Sequence, residues 1–143
     1  MKNIRHVGLV VSNMEKALYF YHDVLGLKIQ GTTDESGDFI DKLLSHNSIH
    51  LKTVKLSAND NATRIELIEF SKPFPQKKIR NELIDCGITH IALTVDNLDE
   101  IYIQLKKLDI KFNHEPQLSP NGKLKVAFCQ DPEGNYLELI EEI

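Results

Sequence analysis

The stretch HVGLVVSNME at His6–Glu15 returns as HIALTVDNLD at His90–Asp99. Each pair of aligned residues is identical or physically similar, apart from Val10 and Thr94. Both stretches begin as apolar strands. Self-similarity of this kind indicates that the chain contains two copies of one supersecondary unit.

Both repeated stretches end with residues that favour the start of a helix. Ser12 is followed three places later by Glu15, which is the spacing of a capping box. Asp96 is followed by Asp99, a weaker version of the same signal. We therefore predict Ser12 and Asp96 as the N-cap residues of two helices.

Apolar residues at helical spacing follow each cap, and Gly26 is placed to end the first helix. These stripes are typical of helix faces that pack on a core. They consist of Met14, Ala17, Leu18, Tyr21 and Leu25 in the first half, and of Leu98, Ile101, Leu105 and Leu108 in the second.

A second repeated segment ends each half. It is IELIE at Ile65–Glu69 and LELIE at Leu137–Glu141, and both copies are predicted to be strands. The later one follows a turn at Asp131–Gly134, with Pro and Gly in the places a type I turn favours. The other predicted elements are strands at 28–33, 49–56 and 124–130 and a short helix at 36–44.

Each half thus reads strand-helix-strand-strand-strand. We predict an α+β fold of two tandem βαβββ modules within a single domain, residues 1–143. Module one spans 1–70, a linker spans 71–86, and module two spans 87–143. One helix covers one face of each sheet, and the two open faces would combine into a shared trough.

Four polar residues occupy matched places in the repeat. Glu66 and Glu138 lie in the middle of apolar strands, where a carboxylate is disfavoured, and His6 and His90 open the equivalent first strands. By strand alternation, both glutamates point away from the helix-covered face. A single such residue is usually structural, but a His and Glu pair that occurs twice indicates a site.

Two imidazoles and two carboxylates that converge on one trough need a cation between them, because desolvated carboxylates otherwise repel each other. We therefore predict that His6, Glu66, His90 and Glu138 bind one divalent metal ion. Nitrogen and oxygen ligands suit Zn, Ni, Co, Mn or Fe(II), and the sequence does not choose among these metals. The other histidines have no partner in the repeat, and we interpret Glu69 and Glu141 as solvated charges.

Composition narrows the classes of partner. The chain has 143 residues and a formal net charge of −4, which disfavours nucleic acid and anionic membranes as partners. No apolar run reaches the length of a membrane span, and the first residues are not a signal peptide. Cys86 and Cys129 form no CxxC motif, so we expect two free thiols in a reducing cytoplasm.

Several segments resemble the vicinal-oxygen-chelate superfamily, which includes glyoxalase I, bleomycin-resistance proteins and extradiol dioxygenases. The first half contributes HVGLVV at His6–Val11, ALYFY at Ala17–Tyr21 and VLGL at Val24–Leu27. The second half contributes GITHIALTVD at Gly87–Asp96 and DPEGNYLELIE at Asp131–Glu141, which resemble the second module of glyoxalase I.

The resemblance implies paired βαβββ modules that form a metal-lined cup, often in a homodimer. It places the ligands on the same four residues, His6, Glu66, His90 and Glu138. The implied activity is that of a metal-dependent lyase or isomerase, which stabilises an enediolate of a small carbonyl substrate. Glu66 or Glu138 would act as the general base.

Departures from the family patterns leave the exact activity open. Val10 and Phe70 stand where glyoxalase I is expected to carry an arginine and an asparagine for glutathione, which argues against glutathione dependence. Methylmalonyl-CoA epimerase is similar at its start, but its double histidine is replaced here by Thr89-His90.

Three other readings remain. An extradiol dioxygenase would bind Fe(II) with two histidines and one carboxylate, and Glu66 as a fourth ligand argues against this type of site. A fosfomycin-type thiol transferase looks as if it needs a histidine at position 66. The main alternative is a metal-free ligand-binding or drug-sequestering protein of the bleomycin-resistance type, although the chain has no tryptophan for an aromatic groove.

Overall fold

A computed structural model describes residues 2–60, 62–76 and 82–143. Residues 77–81, which belong to the predicted linker, therefore lie outside the described part. The chain divides into two units, residues 1–78 and 79–143. No helix in the described ranges is long and apolar enough to cross a membrane.

Unit one forms a four-stranded sheet in the order β1-β4-β3-β2. The first and last strands are parallel neighbours, and the other pairs are antiparallel. Its elements are β1 (His6–Val10), α1 (Met14–Leu18), a π-helical segment (Tyr19–Val24), β2 (Lys28–Ser36), α2 (Asp38–Leu44), β3 (His50–Ser57) and β4 (Arg64–Lys72).

Unit two repeats this arrangement in the order β5-β8-β7-β6, again with the first and last strands parallel. Its elements are β5 (His90–Thr94), α3 (Leu98–Lys107), β6 (Gln117–Leu118), β7 (Leu124–Gln130) and β8 (Tyr136–Glu142). The predicted α+β class and the βαβββ-type repeat are confirmed. The short helix expected at 36–44 is α2.

Strand alternation places most of the core on one face of each sheet, and in unit one a smaller apolar cluster of Ile40, Ile49 and Leu51 lies against the other face. In unit one, Leu56 on β3 and Leu67 on β4 are fully buried, as is Tyr21 after α1. In unit two, Leu105 on α3 and Leu139 on β8 are fully buried in the same way. The residues that alternate with these leucines, Glu66 and Glu138 among them, therefore lie on the opposite face of their own sheet.

The predicted helix caps are wrong by one residue. Asn13 is the N-cap of α1, and its Oδ1 accepts a hydrogen bond from the amide of Lys16 at 2.8 Å. Asn97 caps α3 in the same way and accepts from the amide of Glu100 at 3.1 Å. Serine, aspartate and asparagine are equally good caps, so composition alone did not decide between adjacent candidates.

The interpretation of Glu69 and Glu141 as solvated charges is also wrong. Glu69 Oε1 accepts a hydrogen bond from the amide of Met14 at 2.8 Å. Glu141 Oε2 accepts one from the amide of Leu98 at 2.9 Å. In each unit the last strand thus supplies a carboxylate to the first turn of the helix, where the helix dipole favours negative charge.

Candidate metal centre

His6 and Glu66 meet because β1 and β4 are parallel neighbours. Gly8 pairs with Glu66 in the register, and His6 lies two residues earlier on the same face. Nε2 of His6 is 3.3 Å from Oε2 of Glu66. The imidazole remains partly open to solvent, whereas the Glu66 side chain is only 13% exposed.

Unit two builds the same pair from β5 and β8. Ala92 pairs with Glu138, and Nε2 of His90 is 3.4 Å from Oε2 of Glu138. Gly8 in unit one and Ala92 in unit two are the residues directly across from the glutamates. Both residues are small, and a Cβ added at Gly8 would meet Ile68 Cδ1 at 3.4 Å, an ordinary contact distance.

The His90 ring is fixed by two further contacts. Its Nδ1 shares a hydrogen bond with Thr89 Oγ1 at 2.9 Å. Phe128 packs against the ring edge-to-face, with a centroid separation of 5.3 Å. A histidine held through one ring nitrogen presents the other in a defined direction, as metal-binding histidines commonly do. The contact with Thr89 therefore leaves Nε2 facing Glu138.

Lys55 also belongs to this site, although the sequence pattern does not predict it. It lies directly across from Glu66 in the β3–β4 register, and its Nζ is 3.3 Å from Glu66 Oε1. One oxygen of Glu66 thus faces His6 and the other faces Lys55. A charged residue inside the segment HLKTVKLS was visible in the sequence, but the cross-strand register that brings it to Glu66 was not.

The donor atoms within each pair are spaced as a shared cation requires. With bonds of 2.0–2.2 Å, two ligands at tetrahedral to octahedral angles lie about 2.8–3.6 Å apart. The observed separations are 3.3 Å in unit one and 3.4 Å in unit two. The residues of each pair therefore fit a divalent metal ion in spacing and in donor type.

Each unit brings together two of the four predicted ligands. Across residues 2–60, 62–76 and 82–143, no group of three or more His, Cys, Asp or Glu side chains is gathered at one point. The structure thus gives the two pairs separately, His6 with Glu66 and His90 with Glu138.

His50 belongs to a different surface of unit one. It lines an open depression of about 330 Å³ together with Asp34, Lys52 and Glu69. Lys52 and Glu69 are each three residues from Lys55 and Glu66, so they lie on the opposite face of the sheet. His50 and its depression are therefore separate from the His6 and Glu66 pair.

Two βαβββ-type units, each with one His and Glu pair beside its parallel strands, define the class of protein. A profile of the Glyoxalase/Bleomycin resistance protein/Dioxygenase superfamily matches residues 3–139. The chain belongs to this superfamily.

Relatives agree with this assignment. The chain is 30% identical over 145 residues to the uncharacterized protein YwkD of Bacillus subtilis, covering 99% of this chain and 98% of that one. It is 26% identical over 137 residues to the lactoylglutathione lyase of Shigella flexneri, covering 96% and 90%.

Among solved structures, a glyoxalase family protein from Bacillus cereus superposes with a TM-score of 0.91. The superposition covers 100% of this chain and 95% of that one, at 22% identity. At this identity, the likeness establishes the fold alone.

Proposed function

We propose that this chain is a divalent-metal-dependent lyase or isomerase of the glyoxalase-like type, with His6, Glu66, His90 and Glu138 as metal ligands. The observation that carries the proposal is the His and Glu pair formed in both units, at 3.3 Å and 3.4 Å. A single pair has an ordinary structural explanation. The same pair at matched strand positions in a repeat is expected of a built site.

The reaction in this proposal is proton transfer at a carbon next to a substrate carbonyl. A divalent cation, when bound, would supply Lewis acidity that acidifies the C–H bond and stabilises the developing oxyanion. Glu66 or Glu138 would accept the proton and return it to the neighbouring carbon. Thr89 would hold the His90 ring through its hydrogen bond to Nδ1.

We infer further that the enzyme does not depend on glutathione. Phe70 packs against the apolar cluster of Ile40, Ile49 and Leu51, at a position where the family pattern leads to an amide side chain. Val10 places an apolar side chain at the end of the edge strand β1. Neither residue offers a hydrogen bond to a charged thiol adduct.

The first test is metal analysis of protein purified without chelator, where close to one divalent ion per chain is expected. His6→Ala and His90→Ala should each lose the metal. His22→Ala is the matched control, because His22 is exposed and lies on the π-helical segment. Full metal content in both ligand variants would contradict the proposal.

The second test is an activity screen with the metal-loaded protein. The panel comprises 2-oxoaldehydes with and without thiols, small 2-oxo compounds, and acyl-CoA thioesters for an epimerase-like reaction. Turnover that needs metal and no thiol is expected. Turnover only with glutathione would contradict the inference from Val10 and Phe70.

The second candidate is a metal-free ligand-binding protein of the bleomycin-resistance type. It is favoured by the aromatic ring of Phe128, which packs edge-to-face against His90. Protein that contains no metal after purification and takes up none on titration with Zn²⁺ would support this candidate over the enzyme.

A further inference from the structure

The two units differ at one matched position beside their glutamates. Lys55 lies directly across from Glu66 in unit one, and Phe128 lies directly across from Glu138 in unit two. The repeat therefore places an ammonium group next to one candidate ligand and an aromatic ring next to the other. The ammonium of Lys55 repels a cation that binds Glu66, so metal binding alone does not explain a lysine at this position.

The next position on the same sheet face also has a polar residue in unit one and an apolar residue in unit two. Thr53 lies across from Ile68 in unit one, and Val126 lies across from Ile140 in unit two. Thr53 is only 4% exposed, and its Oγ1 is a buried atom without a hydrogen-bond partner. A buried hydroxyl without a hydrogen-bond partner destabilises a fold. Val126, at the matched position of unit two, has the same shape as threonine and carries no hydroxyl. This unpaired hydroxyl, two residues from Lys55 on the same face, is a donor that an oxygen of a bound ligand could satisfy.

The charge balance of the proposed site indicates the charge of that ligand. In the proposed site, a dication and two carboxylates are neutral together, and the ammonium of Lys55 adds one positive charge. Once Glu66 binds a cation, it no longer neutralises Lys55 fully. A negatively charged oxygen group on the substrate would restore the balance and would replace Glu66 as the partner of Lys55.

We propose that Lys55, with Thr53 beside it, binds an anionic oxygen group of the substrate. The substrate class is then small carbonyl compounds that carry a carboxylate or a phosphate, and neutral 2-oxoaldehydes are disfavoured. The proposal rests on the proposed function and deepens it. The Lys55 side chain is 31% exposed, so its ammonium remains accessible to a small ligand.

The test compares matched neutral and anionic probes by calorimetric titration of the Zn²⁺-loaded protein. Pyruvate and methylglyoxal share a three-carbon oxo skeleton and differ in charge, and dihydroxyacetone phosphate and dihydroxyacetone form the second pair. The wild type should bind at least one anionic probe about tenfold more tightly than its neutral partner. The pair that shows the preference tells carboxylate from phosphate.

Variants test whether the preference for anionic probes is due to Lys55. Lys55→Met should abolish the preference and leave the binding of the neutral probes unchanged, whereas Lys55→Arg should retain it. Lys52→Met is the matched control, because Lys52 lies on the same strand and the opposite face. Thr53→Val should reduce the preference without lowering the melting temperature, because valine fills the same volume without an unpaired hydroxyl.

The outcomes separate this proposal from the proposed function. If the wild type binds Zn²⁺ but prefers neutral probes, or binds none of the four, the role of Lys55 is refuted and the metal site stands. An unchanged preference in Lys55→Met refutes it equally. If the protein binds no Zn²⁺, the metal enzyme is refuted, and the same titration of metal-free protein still measures the preference that Lys55 confers.

Discussion

Glu66 and Lys55 form an ion pair across β3 and β4, with 3.3 Å between Glu66 Oε1 and Lys55 Nζ. The ammonium therefore opposes any cation that binds Glu66. We predict that Lys55→Met raises the affinity for Zn²⁺ severalfold, up to about tenfold, because a like charge is removed. Competition with a fluorescent chelator measures this change. Weaker Zn²⁺ binding in Lys55→Met, with Lys52→Met as control, would contradict the proposed ligand role of Glu66.

The two glutamates are expected to be essential for both metal binding and turnover. Loss of a residue that only orients a ligand costs about tenfold to a hundredfold in metal affinity, so loss of the ligand itself should cost at least as much. Glu138→Gln and Glu66→Gln should weaken Zn²⁺ binding by that margin and abolish activity. Glu142→Gln, at the exposed end of β8, is the control. Full activity with bound metal in Glu138→Gln would exclude this carboxylate from the site.

Thr89 is expected to act on metal binding through His90. The hydrogen bond between Thr89 Oγ1 and His90 Nδ1 fixes the direction of Nε2. Thr89→Val should therefore lower metal affinity by about tenfold, while Thr89→Ser should restore it. Both variants should retain the wild-type melting temperature. Equal metal affinity in the valine and serine variants would show that Thr89 has no positioning role.

Glu69 and Glu141 are expected to matter for stability and not for metal binding. Each accepts a hydrogen bond from the first turn of a helix, Glu69 from Met14 and Glu141 from Leu98. Glu69→Ala and Glu141→Ala should each lower the free energy of unfolding by about 1 kcal/mol, the usual cost of a lost cap. Urea denaturation measures the loss, and Zn²⁺ content serves as the control. A loss of metal with unchanged stability would contradict the capping role.

The two cysteines should react very differently with thiol reagents. Burial raises the pKa of Cys129 to about 12, whereas Cys86 is exposed. At pH 8 a colorimetric thiol reagent should therefore modify one thiol in the native chain and two after denaturation. Cys86→Ser should leave none reactive in the native state. Two fast-reacting thiols in native protein would show that Cys129 is not buried.

The same shift gives the sign of a pH effect on stability. The folded state keeps the Cys129 thiol protonated at a pH where the unfolded chain releases the proton. The pKa shift of Cys129 therefore contributes to the free energy of unfolding. This contribution is present in full below the ordinary thiol pKa of 9.0 and is lost as the pH rises toward about 12. Cys129→Ala should flatten this part of the profile. Alkaline denaturation curves of the two proteins measure the difference.

The sequence could reveal the fold and the four candidate residues because both depend on repetition and on strand alternation. His6 and His90 stand at the same place in a repeated segment, and Glu66 and Glu138 interrupt apolar strands in the same way. A periodicity of two assigns a face to each glutamate without knowledge of its neighbours. These features belong to single segments and can be read without coordinates.

The features that the sequence could not reveal all depend on which residues face each other across strands. The contact of Lys55 with Glu66 requires the β3–β4 register, which contains an irregularity between His50 and Leu51. The capping contact of Glu69 with Met14 joins residues far apart in the chain. Register follows from turn geometry and packing as well as from pattern, so a single strand does not specify its partner.

The parallel pairing of the first and last strands of each unit also constrains how the protein acquires its structure. In each unit the first strand made on the ribosome pairs with the last, so His6 acquires its carboxylate neighbour only after β4 has emerged and joined the sheet. Long-range closure of this kind slows folding, because chain entropy is lost before the contacts form. Translation that stops before Tyr136 would leave β5 without a partner and would release a chain unable to complete its second pair.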